Sequence, residues 1–344
     1  MNKKIALLTG GTGQDGSYLI EFLLSKNYEV HNIIRRSSTF TTSRIDKIIN
    51  DKKHDYYGHY GDLFDSSSLN RLIRTIKPTE IYNLGAQSHV AVSFKIPEYT
   101  SEVNAIGTLR ILDALIETNS QCKFYQASTS ELFAGFKSTI PQNEKTAMEP
   151  RSPYAISKLF SYWITKNYRE AYGVFASNGI LFNHESPRRG GTFVTKKIVR
   201  EVSNIVNGKK SILKLGNLNS IRDWGYAKEY VEAMWLILQQ QNPDDFVVAT
   251  GKGTTVREFV EYAFGYTGIS LYWKGSGLKE KGYDKKTGTL LVAVDKKYFR
   301  PTEVECLIGD YKKIHKKTGW KPKTNIKKLV KIMMEHELKS FKQL

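Results

Sequence analysis

The stretch Ile5-Ala6-Leu7-Leu8-Thr9-Gly10-Gly11-Thr12-Gly13-Gln14-Asp15-Gly16, running on into Ser17-Tyr18-Leu19-Ile20-Glu21-Phe22-Leu23-Leu24, decides the fold. Ile5 to Thr9 is a short apolar run, the glycines make a turn, and the apolar positions from Tyr18 to Leu24 suit a buried helix ending near Asn27. Tyr28-Glu29-Val30-His31-Asn32-Ile33-Ile34 then alternates like a second strand, which completes a strand–helix–strand unit.

Further along, Ile81-Tyr82-Asn83-Leu84 and Lys123-Phe124-Tyr125-Gln126-Ala127-Ser128 read as strands, with a helical stretch from Asn104 to Glu117 between them. Ser152-Pro153 supplies an N-cap and a proline at the first helical position, and Gly173 stops the helix that follows. Alternating strands and helices imply an α/β chain built on a Rossmann-type doubly wound parallel sheet, whose ligands sit beyond the carboxyl ends of the strands. We assign residues 1–178 to this nucleotide-binding part, with later segments at about 220–250 returning to it. Residues 179–344, less regular and carrying Trp224, Trp235, Trp273 and Trp320, form a smaller mixed α/β part expected to bind substrate. Its last clear element is an amphipathic segment from about Asn325 to Phe341.

Glycines at 10, 13 and 16 between a strand and a helix allow a tight turn and close backbone approach, while the helix N-terminus offers free N–H groups to a pyrophosphate. A glycine triplet alone is weak; its position carries the reading. At the end of the second strand an acidic residue would select the ribose 2′-hydroxyl of NAD, but Arg35-Arg36-Ser37-Ser38 stands there, so NADP is the expected cofactor. Asp62, after the strand-like His59-Tyr60-Gly61, is placed to meet the adenine, although an exposed aspartate at a strand end is common.

Tyr154 and Lys158 are four apart and share a helical face. A lysine ammonium beside a phenol favours the phenolate, so the pair is expected to lower the tyrosine's pKa and let it deprotonate a hydroxyl. The spacing is common by chance and gains weight only from the nucleotide fold upstream. Thr129 and Glu131 follow the strand ending at Ser128, at the reactive edge of the sheet. Glu131 reads equally well as a proton-exchanging carboxylate or as a solvated charge at a helix start. Thr255-Val256-Arg257-Glu258 is a capping box without chemistry, and His89, His184 and His315 are too dispersed for a metal site.

The chain of 344 residues is 40% hydrophobic and 25% charged, in the globular range. Lys and Arg exceed Asp and Glu to give a net charge of +18, but the paired lysines are scattered over the last third rather than gathered into an aromatic-interleaved stripe, which argues against nucleic acid. Two cysteines, Cys122 and Cys306, fit a reducing compartment, and the apolar run at the N-terminus is too short for a signal peptide or a span; a cytoplasmic protein is expected.

These motifs resemble the extended short-chain dehydrogenase/reductases and, within them, the GDP-mannose 4,6-dehydratase family. The resemblance runs through Thr9–Ser17, Tyr28–Ser38, Ile81–Val90, Phe124–Leu132, Arg151–Lys158, Gly179–Gly190, Leu215–Asp223 and Tyr298–Glu303, and is most specific at Asn183-His184-Glu185-Ser186-Pro187-Arg188-Arg189 and Arg222-Asp223-Trp224-Gly225. It implies a catalytic set of Thr129, Glu131, Tyr154 and Lys158. It implies cofactor contacts at Gly10, Gly11, Thr12, Gly13, Gln14, Asp15, Arg35, Arg36, Ser37, Ser38, Asp62, Leu63, Leu84, Gly85, Ala86, Gln87, Ser88, Tyr99, Lys158, His184 and Arg189. Sugar-nucleotide contacts are implied at Ser88, Asn183, Lys196, Leu215, Gly216, Asn217, Leu218, Arg222, Arg300 and Glu303.

The implied reaction has Tyr154 take the C4-hydroxyl proton as hydride leaves C4 for NADP⁺. Glu131 then removes the acidified C5 proton and protonates the departing C6 hydroxyl, and hydride returns to C6. NADP would be tightly held and regenerated each turn, and a homo-oligomer, dimer or tetramer, is implied. After Glu131 the chain departs from the family: Leu132-Phe133-Ala134-Gly135 replaces the usual tyrosine then glycine, and the loop is one residue longer. This segment is expected to border the sugar pocket, which admits a C6-extended substrate such as GDP-manno-heptose beside GDP-mannose. The rival readings are an NADP-dependent epimerase or reductase of a GDP-sugar on the same fold, and a non-catalytic sugar-nucleotide or NADP-binding scaffold.

Overall fold

The first strand, β1 (Ile5–Thr9), is buried from Ala6 onward and pairs in parallel with β2 (Glu29–Ile34) on one side and β4 (Glu80–Asn83) on the other. In this computed structural model, which describes residues 3–51, 53–118, 121–299 and 302–341, β3 (Tyr56–Tyr60), β5 (Lys123–Thr129), β6 (Ala176–Leu181) and β11 (Phe246–Val248) complete a parallel seven-stranded sheet of order β11-β6-β5-β4-β1-β2-β3. The order reverses between β1 and β4, so the loops leaving their carboxyl ends diverge and open a crevice there. A buried polar ladder spans that edge: Thr9 Oγ1 donates to Asn83 Oδ1 at 2.6 Å, and Asn83 Nδ2 to Gln126 Oε1 at 2.8 Å.

The helix after β1 runs Gln14–Ser25 and ends in Lys26 and Asn27, the latter at φ 63°, close to the expected stop. The stretch expected to be helical from Asn104 begins two residues earlier as a π turn, Glu102–Ile106, and becomes regular at Gly107–Glu117. The helix Pro153–Tyr172 has the anticipated ends: Ser152 Oγ accepts from Ala155 N at 3.1 Å, and Gly173 takes φ +68°.

The remaining strands are short: β7 (His184–Glu185), β8 (Leu213–Leu215), β9 (Ile221–Asp223), β10 (Gly225–Tyr226), β12 (Gly253–Thr255), β13 (Leu271–Lys274), β14 (Lys281–Asp284), β15 (Leu290–Val294) and β16 (Cys306–Leu307). They form small sheets of order β10-β7, β12-β9-β16 and β13-β14-β15-β8. The helices Val194–Val206, Val256–Tyr266 and Ile326–Phe341 cover them around a core of Ile198, Val202, Phe259, Val260, Met333 and Met334. The capping box is present, with Thr255 Oγ1 accepting from Glu258 N at 3.1 Å and Thr255 N donating to Glu258 Oε2 at 2.7 Å. Among the described residues no helix is long and apolar enough to cross a membrane, and Cys122 and Cys306 are buried thiols.

Candidate active site

Two cavities meet at Arg189 and Phe193. The first occupies the crevice between β1 and β4. It is lined by Gly10, Thr12, Gly13, Gln14 and Asp15, by Arg35, by Asp62 and Leu63, by Leu84, Gly85, Ala86, Gln87 and Ser88, and by Tyr99 and Arg189. Gly10 sits at φ +72°, and a Cβ there would meet Gly85 N at 2.7 Å, so only glycine lets the two loops approach this closely. Gly16 is equally constrained, its Cβ falling 2.4 Å from Gly10 O. Gly13 is the N-cap of the helix Gln14–Ser25 and gives it no side-chain cap, so the first-turn N–H groups point toward the cavity. Gly11 instead donates its N–H to Asn32 Oδ1 at 3.1 Å, and Arg36, Ser37 and Ser38 lie outside the lining: of the Arg-Arg-Ser-Ser run, Arg35 alone faces in.

Arg44 is among several lining residues that escaped the sequence reading, with Ile33, Val103 and Phe193. Arg44, on the loop after β2, donates from Nε to Arg188 O at 2.8 Å and from Nη1 to Thr12 O at 3.3 Å, clipping the glycine-rich loop to the 186–190 segment. It has no carboxylate partner among the described residues, and burial pushes its pKa down. Nothing in its surroundings of Thr and Ser marked it in the sequence.

His184, on β7, reaches back to the same loop. Its Nε2 donates to Asp15 Oδ2 at 2.8 Å and its Nδ1 faces Phe182 O at 2.7 Å. Both ring nitrogens meet acceptors, which favours the imidazolium; Asp15 raises the His184 pKa against burial, and His184 lowers that of Asp15 in return.

Thr129, Glu131, Tyr154 and Lys158 come together, all buried, and Arg189 is near enough to act on the Tyr154 phenol. Thr129 ends β5 and caps the turn Ser130–Leu132, its Oγ1 accepting from Glu131 N at 3.2 Å. That leaves the hydroxyl proton for the Tyr154 phenol, to which Thr129 is hydrogen-bonded. The phenol's pKa is raised, against the expected lowering, and Lys158 Nζ gives its hydrogen bond to Ala127 O at 2.9 Å. Burial pushes the phenol up to about 12 and the ammonium down to about 8. The influences that favour the phenolate are the Thr129 hydrogen bond and the Arg189 charge; Glu131 and Asp15 oppose it.

The second cavity lies among the short strands. Its lining includes Asn183, Glu185, Arg189, Leu215, Gly216, Asn217, Arg222, Trp224 and Glu303, together with His89, Lys197, Lys297 and Tyr298, which the sequence reading missed. Two buried polar atoms of its wall, Asn183 Oδ1 and Trp224 Nε1, have no hydrogen-bond partner among the described residues. Lys196 is not in the wall: one step round the helix from Lys197, it pairs with Glu337 and donates to Pro187 O at 2.8 Å. Leu218 is likewise withdrawn into the apolar core, and Arg300 lies outside the described residues.

The sequence matches the family described as GDP-mannose 4,6 dehydratase over residues 7–333. The chain belongs to this family. It is similar to GDP-mannose 4,6 dehydratase 2 of Caenorhabditis elegans, with 57% identity over 98% of this chain and 89% of the relative. It is also similar to GDP-mannose 4,6-dehydratase of Vibrio cholerae serotype O1, with 53% identity over 98% and 94%. UDP-glucose 4-epimerase of Thermotoga maritima shares the fold, with a TM-score of 0.81 over 98% of this chain and 99% of that one at 22% identity. The family is one of hydro-lyases.

The segment that departs from the family pattern lines neither cavity, and neither do Thr129, Glu131, Tyr154 and Lys158 before and beside it. Leu132 and Phe133 are fully buried, Phe133 packing on Phe182 with ring centroids 6.1 Å apart, and none of residues 132–135 lines either cavity. They face an apolar cluster with Val304 and Leu307, and Gly135 O accepts from Cys306 N at 3.1 Å. Hydrophobic burial draws the segment beneath the strand that follows Glu303.

Proposed function

We propose that this chain catalyses the NADP-dependent 4,6-dehydration of a GDP-mannose-type sugar nucleotide, giving the GDP-4-keto-6-deoxy sugar. The observation that carries the reading is the buried Thr129, Glu131, Tyr154 and Lys158 set close to Arg189, which lines both cavities.

The first cavity fits a dinucleotide. An uncapped helix N-terminus with glycine at its N-cap suits a pyrophosphate, and Arg35 at the end of β2 suits a 2′-phosphate, which supports NADP over NAD. Asp62, Leu63, Leu84–Ser88 and Tyr99 would enclose the rest, with Lys158 and His184 completing the contacts. When bound, the nicotinamide supplies the acceptor and the donor of hydride.

The residues of the chain move the protons. Tyr154 takes the C4-hydroxyl proton, with Thr129 donating to the phenol oxygen and so stabilising the charge that develops there. Glu131 removes the proton from C5, made acidic by the neighbouring ketone, and delivers one to the C6 oxygen as it leaves as water; the proton held by Tyr154 then returns to C5. Arg222, Lys197 and Lys297 face the diphosphate, and Asn183, Ser88, Glu303 and the 215–217 turn hold the remainder of the sugar nucleotide.

The test is to incubate the purified protein with GDP-mannose and, separately, GDP-manno-heptose without added cofactor, following loss of one water by mass spectrometry. Loss from either substrate, abolished in Glu131→Gln, supports the reading and names the sugar. No loss from either, even with NADP⁺ added, overturns it.

A further inference from the structure

On β9 the side chains alternate between two faces. Ser220, Arg222 and Trp224 turn to the sugar-nucleotide cavity, and Asp223 turns the other way. There its carboxylate, fully buried, takes four hydrogen bonds. Oδ1 accepts from Thr250 N at 2.8 Å and Thr250 Oγ1 at 2.5 Å; Oδ2 accepts from Gly251 N at 2.8 Å and Gly309 N at 3.2 Å.

These donors belong to two other segments. Thr250 and Gly251 lie just beyond the carboxyl end of β11, the outermost strand of the main sheet, and Gly309 follows β16. One carboxylate therefore ties β9 to the reactive edge of the seven-stranded sheet. No cation pairs with it among the described residues. Arg222 sends Nη1 to Ile221 O and Glu305 O, at 2.9 and 3.4 Å, and Tyr230 is the titratable neighbour from the helix Ala227–Leu238.

A charge buried this way is unfavourable for folding, and burial pushes the carboxyl up to about 6 in spite of the four hydrogen bonds. What the carboxylate adds is a fixed anchor for backbone N–H groups of two loops at once, and its opposite face carries the guanidinium of Arg222 and the unpartnered indole N–H of Trp224.

We propose that Asp223 is a positioning residue for the sugar-nucleotide cavity, holding Arg222 and Trp224 at a fixed place relative to the carboxyl edge of the main sheet. The inference rests on the reading that this cavity takes the sugar nucleotide.

The experiment compares Asp223→Asn with the natural protein in four measurements: KM and kcat for GDP-mannose, GDP affinity by calorimetry, NADP affinity and thermal midpoint. The expected result is a rise of about tenfold in KM and in the GDP dissociation constant, with kcat and NADP affinity little changed and the thermal midpoint lowered by the two N–H donors that the amide nitrogen leaves unmet. Unchanged KM and GDP affinity overturn the proposal, as does a fall of kcat and NADP affinity in parallel with the rise in KM, which marks a general structural role. Should the asparagine variant fail to fold, Thr250→Val, which removes the hydroxyl bond alone, decides: a KM raised about threefold at constant kcat supports the anchor, and an unchanged KM overturns it. If the natural protein neither binds GDP nor turns over GDP-mannose, the proposed function has failed instead.

Discussion

Lys158 gives its hydrogen bond to the carbonyl of Ala127 at 2.9 Å, on the strand that ends in Thr129, and burial holds its pKa near 8, below the usual 10.5. The unfolded chain then holds that proton more tightly than the folded one. Below pH 8 the folded protein bears the full cost of a buried ammonium, and the cost disappears as pH rises from about 8 to 10.5. Lys158→Met in cofactor-free protein should therefore be more stable at pH 7, by at most about 3 kcal/mol, with the gain shrinking toward pH 10, while dehydration is lost. Denaturant unfolding at the two pH values checks this, and a variant less stable at pH 7 contradicts it.

Tyr154 should remain a phenol in cofactor-free protein. With its pKa pushed up to about 12 by burial, a spectroscopic titration of the natural protein and of Tyr154→Phe should show no difference in phenolate absorbance up to about pH 10. Thr129→Val, which removes the hydrogen bond favouring the phenolate, should lower kcat by about a hundredfold with little change in KM. A phenolate titrating near neutrality would show that Lys158 acts on Tyr154 after all.

Arg35 is the one member of Arg35-Arg36-Ser37-Ser38 that faces the first cavity. Loss of a charge-assisted hydrogen bond predicts that Arg35→Ala weakens NADP binding about 10- to 100-fold and leaves NAD binding nearly unchanged. Fluorescence titration with each dinucleotide checks it. Equal weakening of both would place Arg35 on a group that the two share.

Much of this arrangement was legible in the sequence because it depends on local chemistry. Glycines at 10, 13 and 16, the Ser152-Pro153 start and Gly173 stop, and the Thr255/Glu258 capping box each act through their own backbone neighbours, and the structure has all of them in place. The small sheets were illegible for the opposite reason. β8, β9 and β16 are three residues or fewer and pair with partners far along the chain, so neither periodicity nor turn chemistry reveals them. Side-chain direction was lost in the same way. Whether Lys196 or Lys197 lines the cavity depends on Glu337, from the last helix, and the direction of Lys158 depends on a carbonyl 31 residues earlier.

Arg169 and Asp245 show a distant pair of another kind, a bidentate contact at 2.8 and 3.0 Å between the helix Pro153–Tyr172 and the start of β11. Asn178 and Tyr162 also donate to Asp245, and its pKa is lowered by Arg169 against the opposing effect of burial. A lowered carboxyl pKa stabilises the fold above the ordinary value of 3.8, and the contribution is lost as pH falls through the lowered one. Asp245→Asn, which leaves a half-buried guanidinium without its charge partner, should cost about 1–3 kcal/mol at pH 7 and less at pH 3. Chemical unfolding at both pH values measures the difference.

Gly135 connects the departure from the family pattern to the sugar-nucleotide cavity without touching it. It sits at φ +74°, and a Cβ there would fall 2.3 Å from Val304 Cγ1 and 3.0 Å from Cys306 O. Val304 adjoins Glu303 in the cavity wall, and Cys306 begins β16, which pairs with the strand bearing Arg222. Gly135→Ala must strain its own backbone, at about 1–3 kcal/mol, or push residues 304–306 away. The second route moves Glu303 and Arg222 together while leaving Thr129 and Tyr154 on their separate elements. The variant should therefore raise KM for GDP-mannose several-fold at nearly constant kcat and lower the thermal midpoint. A changed preference between GDP-mannose and GDP-manno-heptose would place this segment in control of the space around C6, whereas an equal effect on both sugars would confine it to supporting the wall.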